Sequence, residues 1–453
     1  MGRITLEQAA AWCGGRIDPR YAKVSFFGAS NDSRNLQPGQ LFVALQGIRD
    51  GHAYVPAALR QGAAAVLCSH CDGDYPAIVV DSPRDALGDI AREERRRSGM
   101  KVVGVTGSVG KSTTKEMISS VLETTYLTGK SPVNHNNDIG LPMAILGIPE
   151  NTQVAVLEMG MNHFREMAYL TSIAQPDIAV IINIGTMHIE HLGSMEGILK
   201  AKLEILEGMP ENGMVILNGD DHLLWNLRRE TNVRGIYFGV RNTDCKVRGT
   251  GVREEAGTLC FQVTCGGQTF PVQIPVEGEH YVSDALAAIT VGLELGVAPE
   301  AIRKSLAHFQ NMAGRQEILV EKERTIIKDC YNAGPESMAA ALSVLGNRPG
   351  RRVAVLGDML ELGTNSQAEH YRVGRIAAEK ADLLLAYGPN SGRVVSGAIT
   401  GGMPDGRVRG FEDREELVET LCRLSKPGDV ILFKGSHGMR MDLLLDEFLK
   451  DVT

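Results

Sequence analysis

No uninterrupted apolar stretch in the 453 residues approaches the 18 or so that a membrane-spanning helix needs, which excludes a bundle of spanning helices. Basic residues are not in excess either. Lys and Arg number 47 against 55 Asp and Glu, and a net charge of −8 argues against a nucleic-acid binder, whose footprint is a basic face. The N-terminus meets Glu7 before any apolar run could serve as a signal peptide. Cysteines number only eight, and without a secretion signal they suggest no disulfide framework. Cys68-Ser69-His70-Cys71 is a CxxC, and Cys260 and Cys265 lie five apart, but no second pair stands at a spacing suited to structural zinc. Internal repeats, low-complexity tracts and heptads are also missing. The expectation is a soluble cytoplasmic protein without zinc.

Hydrophobic residues make up 43% and charged residues 23%, the balance of a globular chain, and the length suggests roughly three domains at about 150 residues each. The first hundred residues hold short strands and helices and close on Arg92-Glu93-Glu94-Arg95-Arg96-Arg97-Ser98-Gly99, which reads as a solvated helix end and linker. From Lys101 the pattern changes. Val102, Val103 and Val105 form a short apolar strand, and a glycine-rich turn follows. Ile118, Val121, Leu122 and Thr125 then recur at helix spacing. Strands are predicted at Val154–Leu157, Ile178–Asn183 and Met214–Leu217 with helices between, the pattern of βαβ units and a parallel sheet. Alternation of Leu259, Phe261 and Val263, the turn Cys265-Gly266-Gly267-Gln268, and alternation again at Phe270, Val272, Ile274 and Val276 predict an antiparallel hairpin appended to that sheet. Helices at 282–296 and 299–308 follow, then a linker at Asn311-Met312-Ala313-Gly314. Beyond it strands are predicted at Thr325–Lys328, Val353–Leu356, Leu383–Ala386 and Val430–Phe433. The fold class is α/β, in three domains: 1–98, 99–312 and 313–453.

The strongest chemical signal is Gly104-Val105-Thr106-Gly107-Ser108-Val109-Gly110-Lys111-Ser112-Thr113, which follows a strand and opens a helix. Glycines let backbone N–H groups approach phosphates, and the helix N-terminus adds favourable partial charge. Lys111 can reach the outer phosphates and the Ser112 hydroxyl can ligate Mg²⁺. Gly104 lies six residues before Gly110, where the general phosphate loop has five. A carboxylate for Mg²⁺ is available in Glu158, at the end of its strand, and ligands in open α/β sheets sit at the carboxyl ends of strands. His188 follows the next strand and could enter the same crevice, although on its own it reads as a solvated loop histidine. His188-Ile189-Glu190-His191 is a weak metal pair. Lys202, fourteen residues past His188 on a predicted helix, reads alone as a surface lysine.

The loop with its doubled Ser-Thr, followed by Asn134-His135-Asn136-Asn137-Asp138-Ile139-Gly140-Leu141-Pro142, resembles the Mur ligase family of ATP-dependent amide ligases in bacterial cell-wall synthesis. That family uses Gly-[Ser/Thr]-x-Gly-Lys-[Ser/Thr], which accounts for the unusual spacing. Further segments match in order: Glu158-Met159-Gly160-Met161-Asn162-His163, Asn183-Ile184-Gly185-Thr186-Met187-His188, Ala201-Lys202, Gly314-Arg315-Gln316-Glu317 and Lys328-Asp329-Cys330-Tyr331-Asn332. Within the family, the Tyr331-Asn332 segment and Gly357-Asp358-Met359-Leu360-Glu361-Leu362-Gly363 resemble the member that adds D-alanyl-D-alanine to UDP-N-acetylmuramoyl-tripeptide. The segment from Asn31-Asp32-Ser33-Arg34 to Asp50-Gly51-His52 resembles the uridine-diphosphate-binding domain shared with the preceding ligase. That ligase typically carries Asp-Asn-Pro in its last domain, and no such tripeptide occurs here.

The resemblance implies roles residue by residue. Gly107, Ser108, Val109, Gly110, Lys111, Ser112 and Thr113 would cradle ATP, with Asn137 near the γ-phosphate and Arg315 and Asp329 bringing the last domain onto the nucleotide, Asp329 at the ribose. Ser112, Glu158, His188 and a carbamylated Lys202 would hold two Mg²⁺ ions, and Ser33, Arg34 and Asn332 would meet substrate. Lys111, Glu158, His188 and Lys202 would carry the catalytic work. Three positions depart from the family pattern and receive no role: His280-Tyr281-Val282-Ser283-Asp284, Gly334-Pro335 and Lys434-Gly435-Ser436-His437.

The implied reaction activates the tripeptide carboxylate as an acyl phosphate, which the amine of D-alanyl-D-alanine attacks, in a monomer whose last domain closes to exclude water. The competing readings are a regulatory ATPase that joins nothing, the neighbouring ligase, a folylpolyglutamate-type relative, and a kinase that stops at the phosphorylated acid. Substrate dependence of phosphate release separates them.

Overall fold

A computed structural model describes residues 3–229 and 235–452; residues 1–2 and 453, at the outer ends of the expected first and last domains, lie outside the described residues. The chain forms two compact units. One comprises Met1–Ile182, Leu199–Val247 and Ala285–Ser305, and the other Asn183–Ile198, Arg248–Asp284 and Leu306–Thr453.

The first unit opens with a small parallel sheet in the order Ala29–Ser30, Leu41–Val43, Ala65–Cys68, Ala77–Val79. Phe42, Val66 and Ala77 pack there with Leu36, Val55 and Ala58. Helix Pro83–Ser98 follows, capped by the Ser82 hydroxyl, which accepts from the Asp85 N–H, and closed by Gly99 at φ 63°. The charged run at its end is not all solvated. Arg95 is 9% exposed, because its guanidinium donates to the carbonyls of Ala174 and Gln175 and to Asp177 Oδ2. Three hydrogen bonds of this kind let a charge sit in the packing between helices.

The larger sheet of this unit runs in the order Gly235–Gly239, Met214–Asn218, Ile178–Ile181, Lys101–Thr106, Val154–Glu158, Thr128–Lys130, every neighbour parallel. Its register fixes the site. Val105 pairs with Glu158 and Thr106 with Ile181, so Glu158 finishes its strand beside the start of the glycine loop. Helix Lys111–Glu123 is buried on nearly every side, including Ser112, Thr114, Lys115 and Ser119. It stops short of Thr125, which is exposed and not on the expected helical face. There the Thr124 hydroxyl bonds the Val121 carbonyl and the Thr125 N–H bonds Leu122, tightening the chain out of the helix. Helices Tyr281–Glu294 and Pro299–Ala307 stand where 282–296 and 299–308 were expected.

In the second unit, strands Thr258–Cys265 and Gln268–Ile274 form the expected hairpin, with Phe261 opposite Val272. Gly266 and Gly267 lie at φ 57° and 80°, as a type I′ turn requires and side chains resist. The other sheet runs Glu317–Glu321, Arg324–Asp329, Val430–Lys434, Arg352–Gly357, Leu383–Tyr387, Val408–Phe411, antiparallel at the first pair and parallel beyond. Successive residues feed two cores on opposite faces: Ala354, Leu356, Leu384 and Leu432 on one, Val353, Val355, Leu385 and Ile431 on the other. Burial on both faces is why these strands read as unbroken apolar runs. The two outer strands gave no such signal. Val320 is 75% exposed, and Arg409 and Gly410 face outward too.

Candidate active site

The glycine loop closes the Lys101–Thr106 strand and opens the Lys111–Glu123 helix. Gly110 sits at φ 83°, a left-handed conformation that costs other residues about 1–2 kcal/mol. A Cβ on Gly107 would stand 3.2 Å from Ile182 Cβ. Gly104 does something different. It lies inside the strand, and a Cβ there would meet Met159 Sδ at 2.9 Å and Pro176 Cβ at 3.2 Å. It is a packing glycine, so the cradle begins at Gly107 and the six-residue spacing is no misfit. Ser108, Ser112 and Thr113 are buried around the turn. Lys111 Nζ donates to the carbonyls of Gly107 at 2.9 Å and Ser108 at 3.3 Å, which holds its ammonium over the loop.

Glu158 is 2% exposed. Its Oε2 accepts from Ser112 Oγ at 2.6 Å, its Oε1 from Asn136 Nδ2 at 2.8 Å, and its own N–H donates to Ser131 Oγ. The 2.6 Å distance suits a hydroxyl donating to an ionised carboxylate. Both oxygens are held by neutral donors, and the carboxylate with the hydroxyl oxygen next to it is a donor set suited to a hard cation. No group of three or more His, Cys, Asp or Glu that could hold a metal occurs among the described residues. Asn137 Oδ1 accepts from the N–H groups of Ile139 and Gly140, committing the carbonyl half of its amide and leaving only the NH₂ donors for an anion.

Lys202 is no surface lysine. It lies on helix Met195–Leu203 at 2% exposure, and burial, aided by the charge of Lys111, holds its ammonium well below the usual lysine range. Lowering the basicity of a buried amine raises its deprotonated, nucleophilic fraction. Ser33 and Arg34 fall in the turn after Ala29–Ser30. There the Arg34 guanidinium grips both oxygens of Asp32, at 2.9 and 2.7 Å, and holds that carboxyl down at about 2.

The remaining expected residues lie in the second unit. His188 takes a left-handed φ of 63° at the start of helix Ile189–Leu192, and its Nδ1 lies 2.5 Å from Glu361 Oε2. It is paired rather than freely solvated. A carboxylate on Nδ1 fixes that nitrogen as the donor and leaves Nε2 as a ligand, the arrangement common behind metal-binding histidines. Glu190 and His191 are exposed. The Thr186 N–H and hydroxyl both donate to Glu336, tying this segment to helix Pro335–Asn347. Asp329 Oδ2 accepts from buried Lys434 Nζ at 2.7 Å, and Lys434 also donates to the Asn332 carbonyl. The Asn332 side chain turns back to its neighbour's N–H. The Arg315 guanidinium lies 3.8 Å from the Tyr331 ring centroid, a cation–π contact. Asn136, Glu361 and Lys434 stand inside segments quoted above and Glu336 directly follows Gly334-Pro335, but none was given a role, because only the fold reveals its partner.

A strand, a glycine loop and a helix N-terminus, backed by a lysine and a buried carboxylate, define an α/β protein with a phosphate-binding loop. Models of the Mur ligase middle domain, the Mur ligase glutamate ligase domain and the Mur ligase family catalytic domain match residues 105–292, 314–437 and 28–95. The UDP-N-acetylmuramoyl-tripeptide–D-alanyl-D-alanine ligase of Bacillus subtilis is 39% identical over 96% of this chain and 95% of its own length. That of Escherichia coli is 34% identical over 97% of each chain. The chain belongs to the Mur ligase family. Among solved structures, MurF from Acinetobacter baumannii superposes with a TM-score of 0.91 at 31% identity, covering all of both chains. MurF ligase from Thermotoga maritima in complex with ADP superposes with a TM-score of 0.81 at 29% identity, over 94% of this chain and 97% of that one.

Proposed function

We propose that the chain joins D-alanyl-D-alanine to UDP-N-acetylmuramoyl-tripeptide in peptidoglycan precursor synthesis, with ATP as the driving reactant. The observation that carries this reading is the buried Glu158 carboxylate, hydrogen-bonded to Ser112 at the mouth of the phosphate loop. Near-full-length similarity to ligases named for that reaction supports it. The tripeptide carboxylate oxygen attacks the γ-phosphorus as the bond to ADP breaks. The dipeptide amine then attacks the acyl phosphate carbonyl, a C–N bond forms, and phosphate and a proton leave. Lys111 and the N–H groups of residues 107–113 neutralise and orient the phosphates, and positioning with electrostatics is most of what phosphoryl transfer needs.

In this reading Ser112 and Glu158 hold one Mg²⁺, and His188 with Lys202 holds a second. Mg²⁺ supplies charge neutralisation at the transferring phosphoryl group. Lys202 becomes a ligand by carbamylation: its neutral amine attacks CO₂, an N–C bond forms, one proton is released, and a neutral nitrogen is replaced by an anionic oxygen donor. Asn137 donates to the γ-phosphate, Arg315 and Asp329 serve the nucleotide, and Asn332, Ser33 and Arg34 serve substrate. The three domains are 1–98, 99–312 and 313–453. Helix Pro83–Ser98 ends at the first boundary, and the family matches fall one to each segment.

The test is phosphate release from ATP and Mg²⁺ with UDP-N-acetylmuramoyl-tripeptide, with and without D-alanyl-D-alanine, followed by the product mass. Release that needs both substrates and gives a UDP-pentapeptide is expected. Release indifferent to both would leave only a nucleotide site standing.

A further inference from the structure

Three consecutive side chains beside the phosphate loop tie down three different elements of the first unit. Asn136 Nδ2 donates to Glu158 Oε1, and its carbonyl accepts from the Gly160 N–H at 2.8 Å. Asn137 Oδ1 receives the first N–H groups of helix Gly140–Gly147. Asp138 Oδ2 lies 2.6 Å from Arg84 Nε. Arg84 stands in the first turn of helix Pro83–Ser98, which follows the last strand of the small N-terminal sheet. At its far end, helix Gly140–Gly147 abuts the same sheet: the Leu146 carbonyl lies 3.8 Å from where a Cβ on Gly28 would stand, just before strand Ala29–Ser30. The segment that bears Asn136 and Asn137 is therefore tied on its C-terminal side twice, by Asp138 to helix Pro83–Ser98 and by Leu146 to the start of strand Ala29–Ser30.

From this we infer that Arg84 and Asp138 are positioning residues, whose ion pair sets where Asn136 and Asn137 stand relative to Glu158 and the loop. The inference rests on the proposed roles of Glu158 and Asn137. Asp138 adjoins Asn137, whose side chain is itself held by the Ile139 and Gly140 N–H groups, so only the φ and ψ angles between them can absorb a shift at Asp138. Catalytic constellations tolerate only about 0.5 Å of error. The Arg84 and Asp138 side chains are 55% and 33% exposed, so the pair adds little to stability, and its effect falls on alignment instead.

The experiment compares Arg84→Gln, Asp138→Asn, the double variant and the charge-conserving Arg84→Lys in the full chain. Mg²⁺ half-saturation and KM for ATP are measured at saturating co-substrates. Each single neutral variant should raise both by about threefold, the size of a partly exposed ion pair. The double variant should be no worse than either, and Arg84→Lys should stay near wild type. Raising KCl from about 0.01 to about 1 M, which shrinks the screening length from about 30 to about 3 Å, weakens Mg²⁺ and ATP binding in every variant, and wild type should lose about threefold more than the neutral variants. KM for D-alanyl-D-alanine and the melting temperature should not move. Additive losses, a uniform salt response, or folded variants with unchanged Mg²⁺ and ATP parameters overturn the inference. Glu158→Gln, run alongside, separates the two levels. If it leaves Mg²⁺ half-saturation unchanged, the metal reading itself fails. If it responds while Arg84→Gln is silent, only the positioning role fails.

Discussion

Glu158→Gln should make the protein more stable and nearly inactive. Burying an ion costs several kcal/mol even after relaxation, and the two hydrogen bonds from Ser112 and Asn136 return about 1.5–3 kcal/mol each when charge-assisted. The amide keeps both contacts: its oxygen faces Asn136 Nδ2, its NH₂ faces Ser112 Oγ, and the serine hydroxyl turns from donor to acceptor. Each bond then contributes about 1 kcal/mol, but the ionic desolvation cost is gone, for a net gain of about 1 kcal/mol. Thermal melts in metal-free buffer should rise by about 2–4 °C, the scaling for domains of 150–250 residues. The same change removes the anion that Mg²⁺ would use, and losing about 3–4 kcal/mol of transition-state stabilisation lowers kcat by about 10²–10³-fold. Phosphate release at saturating substrates, titrated with Mg²⁺, reads that loss. A melting temperature lowered by more than about 2 °C, or a kcat within tenfold at unchanged Mg²⁺ half-saturation, would refute the reasoning.

Gly104→Ala and Gly110→Ala should fail differently. The first overpacks against Met159 and Pro176 and costs about 1–3 kcal/mol of stability with KM for ATP unchanged, whereas the second strains a left-handed residue and raises that KM. Glu361→Gln should weaken the Mg²⁺ response by about 10-fold without moving the melting temperature, because Glu361 is 44% exposed and acts through His188; a full loss of folding would argue otherwise. CO₂-free buffer should lower activity reversibly, with bicarbonate restoring it and Lys202→Met insensitive to both. For the unmodified lysine the sign follows from its depressed pKa: the unfolded chain binds the extra proton, so stability should rise with pH up to the ordinary lysine value of about 10.4, and Lys202→Met should flatten that slope. Cys68 and Cys330, both buried with thiols pushed up to about 12 by desolvation, should react with a thiol reagent at pH 8 only after unfolding.

Much of the secondary structure was legible because it is local. Apolar runs of four to six residues marked the buried parallel strands, and alternation with a Gly-Gly pair marked the hairpin. Glycines, a lysine and two hydroxyls between a strand and a helix spelled out the phosphate loop. Reading failed where burial and exposure are decided by partners far along the chain. Arg95 looks solvated until the Ala174–Asp177 segment supplies its acceptors, and Lys202 looks like a surface lysine until the fold closes over it. The outer strands were harder to read: Val408–Phe411 is interrupted by Arg409 and Gly410, and Glu317–Glu321 holds only the short run Ile318-Leu319-Val320, of which Val320 faces water.

By itself, then, the sequence determined that the chain is α/β, that residues 107–113 form a phosphate loop, and, through its ordered motifs, that it resembles the Mur ligases. Tertiary structure alone decided that Glu158 meets Ser112 across 46 residues, His188 meets Glu361 across 173, and Asp329 meets Lys434 across 105. Periodicity records which face of an element is buried, and it is the same for every order in which parallel strands can be laid side by side. Only the order adopted, with Lys101–Thr106 between Val154–Glu158 and Ile178–Ile181, brings a buried carboxylate to the edge of the loop.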